Sequence, residues 1–232
     1  MTGLLASVAT VDEMEVVRAG GAAIVDLKEP SAGALGAWRT AALEAAVARW
    51  RGWPSPSPLL SATIGDQPMT PPVVAAAAER VAATGVPMVK LGMFPGGEPL
   101  GCLEALAPLA ARCDLIAVFF GDAEPDFGLL PAIAEAGFHG AMIDTADKSA
   151  GGLRRHMTDA ALAAFVTRAR ERGLLVGLAG SLKIEDVGPL AALNPDYLGF
   201  RGALCAGGRT GRIDARAVAA LATALRDRRR AA

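Results

Sequence analysis

The chain has 232 residues, a formal net charge of −1 and 52% hydrophobic residues. Its length and apolar content suffice for one large core. Near-neutral charge offers no basic field, so neither nucleic acid nor an acidic membrane is an expected partner. Because no apolar run reaches the ~18–20 residues of a membrane span and no signal-peptide pattern is present, we expect a cytoplasmic protein.

Short apolar runs recur along the chain, and each is followed by a longer alanine-rich stretch of helical period. The predicted strands span 4–8, 22–27, 59–64, 86–91, 115–120, 139–144, 174–179 and 196–200. The helix candidates include 71–84, 101–112, 158–172 and 212–227. Runs that are apolar on both faces are typical of parallel strands covered by helices. Eight such units predict an α/β fold with one (β/α)8 TIM barrel as a single catalytic domain over 1–232.

Lysine is rare in this chain and unevenly placed. Only four of the 23 basic residues are lysine, and the other nineteen are arginine. Lys28 and Lys90 close predicted strands 2 and 4, whereas Lys148 and Lys183 lie in the loops after strands 6 and 7. TIM-barrel active sites are built at the carboxyl ends of the strands. The distribution therefore indicates chemistry that arginine cannot perform.

The lysines that close strands 2 and 4 suggest an imine-forming site. A lysine can attack a carbonyl once desolvation or a second cation lowers its pKa, whereas arginine stays protonated. Side-chain alternation puts Asp26 on the same face as Lys28, where it can hold Lys28 in position or relay protons. By the same alternation Asp144 lies at the rim, where a carboxylate suits acid/base steps. A purely structural charge or ion pair is the alternative for each of these residues.

The loops after strands 7 and 8 are rich in glycine, at the place where TIM barrels often bind phosphate. They read GLAGSLK (177–183) and GFRGALCAGGRTGR (199–212). Glycine lets backbone amides approach an anion, and arginine side chains add donors, with Arg209 a further candidate. The predicted phosphate site comprises Gly180, Ser181, Lys183, Arg201 and Gly202. Ordinary turns are the alternative, and the role of 206–212 stays open.

No cofactor chemistry is indicated by the remaining residues. The three cysteines and two histidines show no metal-ligand spacing. No Walker A or dinucleotide-binding fingerprint follows the first strand. We therefore expect neither a metal nor an organic cofactor.

Five motifs resemble one known family. They are VDLKEPSAGALGA, VKLG, MIDTADKSAGGL, GLAGSLK and LGFRGALC. In this order, over essentially the whole chain, they resemble (5-formylfuran-3-yl)methyl phosphate synthase, also called 4-(hydroxymethyl)-2-furancarboxaldehyde-phosphate synthase. The first and third motifs are long enough to be specific.

The resemblance implies a class I aldolase-like lyase of methanofuran-type C1-carrier biosynthesis. Such an enzyme condenses two molecules of a triose phosphate, glyceraldehyde 3-phosphate, with loss of one phosphate and two waters. The resemblance also implies that Lys28 forms the Schiff base and that Lys90 accepts a proton. An iminium acidifies the adjacent C–H, a second base removes that proton, and the resulting enamine can attack a second aldehyde.

Two other functions remain open at this point. The strand-end lysines and phosphate loops also fit another Schiff-base aldolase that acts on a sugar phosphate. A catalytically silent barrel that binds a phosphorylated ligand is the second alternative. We expect a homo-oligomer, with the number of subunits left open. The loop 145–157 contains Gly151 and Gly152, which can act as a hinge, so we expect it to close over phosphate and bring Lys148 to the site.

Overall fold

The computed structural model describes the backbone of residues 2–231 and the side chains of residues 2–227. Eight parallel strands close into a barrel in chain order, and β1 pairs with both β2 and β8. The strands are β1 (Gly3–Val8), β2 (Ile24–Leu27), β3 (Leu59–Thr63), β4 (Met88–Gly92), β5 (Asp114–Phe120), β6 (Gly140–Asp144), β7 (Leu175–Leu178) and β8 (Tyr197–Phe200). The predicted TIM barrel and its eight strands are confirmed.

Helices alternate with the strands and cover the outside of the barrel. They are α1 (Val11–Ala19), α2 (Thr40–Arg51), α3 (Pro71–Ala82), α4 (Pro99–Ala110), α5 (Leu130–Glu135), α6 (Leu153–His156), α7 (Asp159–Arg170), α8 (Val187–Ala192) and α9 (Ala215–Ala231). Local sequence sets several of their starts. Thr158 caps α7 by accepting from the Ala161 amide, and Pro99 begins α4 two residues before the predicted start because proline suits the first turn.

The inside of the barrel changes from apolar to charged along the strands. Its apolar part includes Leu5, Ile24, Met88, Ile116 and Met142. Beyond it, toward the carboxyl ends, the inward positions carry the buried charges of Asp26, Lys90 and Asp144. Buried charges are costly unless they are paired, so this end of the barrel requires a network of ion pairs.

The helices of the described chain offer no membrane span. None of them combines the length and the hydropathy that crossing a bilayer requires.

Candidate active site

A cavity of about 470 Å³ opens at the carboxyl ends of the strands. All ten residues that the sequence predicted for the site line it. They are Asp26, Lys28, Lys90, Asp144, Lys148, Gly180, Ser181, Lys183, Arg201 and Gly202. The four lysines of the chain therefore meet in one place, as their positions at strand ends predicted.

Lys28 follows the last residue of β2 and is paired with Asp144. Its Nζ lies 3.0 Å from Asp144 Oδ2, and 8% of the residue is exposed. The expectation that Asp26 holds Lys28 is wrong. Alternation puts Asp26 and Lys28 on the same face of β2, but successive inward residues occupy different layers of a barrel. The side chains of one layer come from alternate strands, so Lys28 of β2 contacts Asp144, the last residue of β6.

Asp26 belongs to the layer below and pairs with Lys90. The Lys90 Nζ lies 2.8 Å from Asp26 Oδ1. The hydroxyl of Ser7 donates to Oδ2 of the same carboxylate at 2.8 Å, and that of Ser61 donates to Oδ1 at 2.7 Å. Asp26 is fully buried, and these three donors satisfy both of its oxygens. The arrangement fixes Lys90 at the bottom of the cavity.

Lys90 lies deeper than the sequence predicted, because β4 continues to Gly92. Gly92 is the next inward position, and a Cβ there would lie 2.4 Å from the ring of Phe94 and 3.0 Å from that of Phe120. Lys90 is consequently the last inward side chain of its strand. Its burial lowers its pKa, Asp26 opposes that shift, and the charge of Lys28 lowers the pKa further.

Asp144 connects two lysines. Its Oδ2 accepts from Lys28, and its Oδ1 lies 2.5 Å from the Nζ of Lys148 and accepts from the Thr145 amide at 2.8 Å. Burial acts to raise the pKa of Asp144, but the charges of Lys148 and Lys28 outweigh it and hold the pKa well below its ordinary value. Asp144 is therefore an ionised carboxylate at neutral pH and a poor general acid.

Lys148 reaches the site in this structure without any closing movement. Its Nζ also donates to the Thr145 carbonyl, and its burial lowers its pKa, against Asp144, which raises it. The loop is held from β5, since the Asp122 carboxylate accepts from the amides of Ala146 and Asp147 at 2.7 and 2.8 Å. Closure of the loop over phosphate stays a prediction.

Backbone amides of the β7 and β8 loops line the cavity. Among the described residues, the amides of Gly180, Ser181, Gly202 and Ala203 donate no hydrogen bond within the protein. Gly180 has a φ of 109°, which favours glycine, and a Cβ there would lie 2.9 Å from Thr145 Cγ2. These amides have no partner within the protein, and the binding of an anion by them stays a prediction.

Arg201 lines the cavity as predicted, but its side chain has a different role from the one predicted. Its five N–H donors make five hydrogen bonds within the protein: one from Nε, two from Nη1 and two from Nη2. Two of them go to Glu13, whose Oε2 lies 2.5 Å from Nη1. The expectation that Arg201 offers donors to phosphate is wrong, because its guanidinium is saturated. Lys183 lines the cavity mouth, but it is exposed to solvent.

A sequence model described as 4-HFC-P synthase matches residues 4–222. The chain belongs to this family. The (5-formylfuran-3-yl)methyl phosphate synthase of Methanocaldococcus jannaschii is 34% identical over 91% of the chain and 94% of its own length. That of Methanopyrus kandleri is 35% identical over 96% and 98%. A Methylorubrum extorquens relative, provisionally named for the same activity, is 41% identical over 96% and 91%. This confirms the resemblance and makes the chain a member of an enzyme family.

Solved structures support the fold of this 4-HFC-P synthase family member. Phosphoribosyl anthranilate isomerase from Thermus thermophilus aligns with a TM-score of 0.65 over 98% of the chain and 99% of its own, at 19% identity. A Streptococcus agalactiae protein that is provisionally named as the copper homeostasis protein CutC aligns with a TM-score of 0.69 over 86% of the chain and 98% of its own, at 11% identity. At these identities the likeness concerns the barrel alone.

Four polar residues of the site were missed from the sequence of this family member. Ser7 and Ser61 bind Asp26, Glu13 binds Arg201, and Asp122 holds the Lys148 loop. The serines had a signal, because each is a polar residue at an inward position of the alternation in a mostly apolar strand. Glu13 and Asp122 had none, since neither lies in a strand, where alternation would assign it to a face.

Asp144 gives the fold a specific sensitivity to acid. Its pKa in the folded protein is depressed from an ordinary 3.8, so the stabilisation that it provides is present above that value and is lost as the pH falls toward the folded-state pKa. We expect wild type to be more stable than Asp144→Asn at pH 6, and the difference to shrink between about pH 5 and pH 2. Urea unfolding of both proteins across this range measures it. A difference that does not depend on pH would contradict the assignment.

Proposed function

We propose that this protein converts two molecules of glyceraldehyde 3-phosphate into (5-formylfuran-3-yl)methyl phosphate, one phosphate and two waters, for the biosynthesis of a methanofuran-type C1 carrier. The names of its relatives supply the product. The observation that carries the proposal is the convergence of all four lysines with two buried aspartates on one cavity. A reaction through a lysine imine needs a nucleophilic amine, a second base and fixed counter-charges, which this cluster can supply.

The first covalent step is the formation of an imine on Lys28. Its Nζ attacks C1 of one glyceraldehyde 3-phosphate, and the aldehyde oxygen leaves as water. Lys28 lines the cavity, so its amine is accessible to a small aldehyde. The attack uses the neutral amine, and Asp144 Oδ2, 3.0 Å away, holds the Nζ in position for it. Asp144 and Lys148 form the charged surroundings of this step.

Lys90 is the base that we assign to the second step. The iminium acidifies C2–H of the bound triose, and a neutral amine can remove that proton. Burial and the charge of Lys28 both lower the pKa of Lys90, which raises the fraction in the neutral form. The electron pair left on C2 then expels phosphate from C3. The product of this step is a three-carbon enol, which stays bonded to Lys28 through the iminium at C1.

The constitution of the product defines the carbon–carbon bond. The aldehyde carbon of the product is C1 of the first triose. The ring carbon that carries the phosphomethyl group is C2 of the second triose, and it is bonded to C3 of the first. The enol therefore attacks a C2 carbonyl and not the second aldehyde carbon, so the second triose phosphate reacts as its ketone isomer. That isomer forms when a proton moves from C2 to C1 of an unbound glyceraldehyde 3-phosphate, a transfer that we also assign to Lys90. Its free hydroxyl closes the ring on C2 of the first triose. Two dehydrations form the furan, and hydrolysis of the imine returns the water of the first step.

Analysis of the products tests this function directly. Purified protein is incubated with glyceraldehyde 3-phosphate alone, and the near-ultraviolet absorbance of a furan aldehyde, the product mass and the phosphate released are followed together. We expect one phosphate for each furan, after correction for spontaneous phosphate loss without enzyme. A six-carbon product that retains both phosphates would indicate an ordinary aldolase, and unchanged substrate would indicate a binding protein.

A further inference from the structure

Two phosphorylated substrates must enter the same cavity if the proposed function is correct. The free amides of the β7 and β8 loops form one place for a phosphate. The proposed reaction uses Lys28 and Lys90 as neutral amines, and Lys148 is paired with Asp144, so Lys183 and Arg209 are the lining cations that remain for a second phosphate. Arg201 is not one of them, because Glu13 neutralises it. Two phosphate dianions repel each other, so the second one needs donors of its own, apart from the β7 and β8 amides.

Hydrogen bonds from Arg201 hold the loop 206–211 after β8 beside the cavity. Arg201 donates from Nε to the Arg209 carbonyl at 2.9 Å and from Nη2 to the Gly211 carbonyl at 2.8 Å. Glu13, which fixes Arg201, also accepts from the Ile213 amide. The saturated Arg201 therefore has a structural consequence, since it sets the backbone position from which Arg209 projects.

Arg209 spans the cavity mouth. Its Cβ lies beside Gly202 of the β8 loop, since a Cβ added to that glycine would be 3.9 Å away from it. Its Nη2 donates to the Gly33 carbonyl at 3.2 Å. The guanidinium thus lies at the β2 loop, two strands round the barrel from β8. Within the part of the chain whose side chains are described, that is its one hydrogen bond, so four of its five N–H donors are free. The positive charge of Arg209 also lowers the pKa of Lys148.

We propose that Arg209 binds the phosphate of the second triose phosphate, the one that is attacked, in a subsite separate from the β7–β8 amides. A free guanidinium fork matches two phosphate oxygens, and the Gly33 carbonyl holds it in place until the substrate enters. The assignment gives the loop 206–212 a function: it carries the group that selects a phosphorylated second substrate. It rests on the proposed function, because only a two-substrate reaction needs this subsite.

Variants Arg209→Gln and Arg212→Gln provide the test. Arg212 belongs to the same loop, but it is exposed and does not line the cavity. With glyceraldehyde 3-phosphate as the probe, we expect Arg209→Gln to reduce furan formation at subsaturating substrate about 10- to 100-fold, the effect of one lost charge-assisted contact. Borohydride trapping of the imine should keep its wild-type dependence on substrate concentration, because the first triose phosphate binds elsewhere. Arg212→Gln should match wild type in both measurements.

Three results would overturn the assignment of Arg209. If Arg209→Gln makes furan at the wild-type rate, Arg209 binds no substrate phosphate. If trapping of the imine weakens in parallel with furan formation, Arg209 serves the first triose phosphate. If Arg212→Gln loses as much activity as Arg209→Gln, the loop acts through its fold. A wild-type protein that makes no furan at all would contradict the proposed function itself, and this result is separate from the other three.

Discussion

Replacing Lys28 with arginine is expected to reduce furan formation by at least about 10³-fold while the barrel remains folded. Arginine keeps a positive charge opposite Asp144, so the ion pair at 3.0 Å can be retained, and the cavity offers room for the larger head group. It cannot form an imine, because it stays protonated at any working pH. The loss would therefore be a loss of chemistry and not of structure.

Borohydride reduction in the presence of glyceraldehyde 3-phosphate locates the imine. Since the chain has only four lysines, peptide mapping of the reduced adduct distinguishes each of them. We expect the adduct on Lys28 in wild type and no lysine adduct in Lys28→Arg. Circular dichroism and thermal unfolding provide the control for folding. An adduct on Lys90, Lys148 or Lys183, or furan production by Lys28→Arg, would refute the assignment.

The sequence was sufficient to predict which residues meet, because the fold itself brings strand ends together. Eight apolar runs with intervening helical segments define a barrel, and a barrel places residues such as Lys28 and Lys183 at one end whatever their distance in the chain. The rarity of lysine marked these positions in a chain that otherwise uses arginine. This part of the site follows from topology alone.

The partners of these residues could not be predicted in the same way. Alternation along a strand says which face a side chain occupies, but the layer is decided by strand tilt and stagger in the closed barrel. Asp26 therefore pairs with Lys90 and not with Lys28. Arg201 illustrates a second limit, since a guanidinium beside glycines looks like a phosphate ligand until the carbonyls that saturate it are known.

The buried pair of Lys90 and Asp26 has a structural role and a proposed chemical role, which a pair of variants can separate. Lys90→Met removes the amine and leaves the Asp26 charge buried without its counter-ion. Breaking a buried pair in this way costs about 3–5 kcal/mol. In Asp26→Asn/Lys90→Met neither charge is present, and the hydroxyls of Ser7 and Ser61 can turn to bind either end of the new amide. We expect the double variant to recover most of the stability lost by Lys90→Met, as measured by urea unfolding at pH 7.

Recovery of stability should not restore catalysis. If Lys90 removes the C2 proton, both variants lack the base, and furan formation should stay about 10²- to 10⁴-fold below wild type in each. The imine on Lys28 should still form, so borohydride should trap an adduct there in the stable double variant. The adduct should retain its phosphate, because elimination from C3 follows removal of the proton, and mass spectrometry of the labelled peptide reads this directly. Turnover near the wild-type rate in the double variant, or a trapped adduct that has already lost phosphate, would limit Lys90 to a structural role.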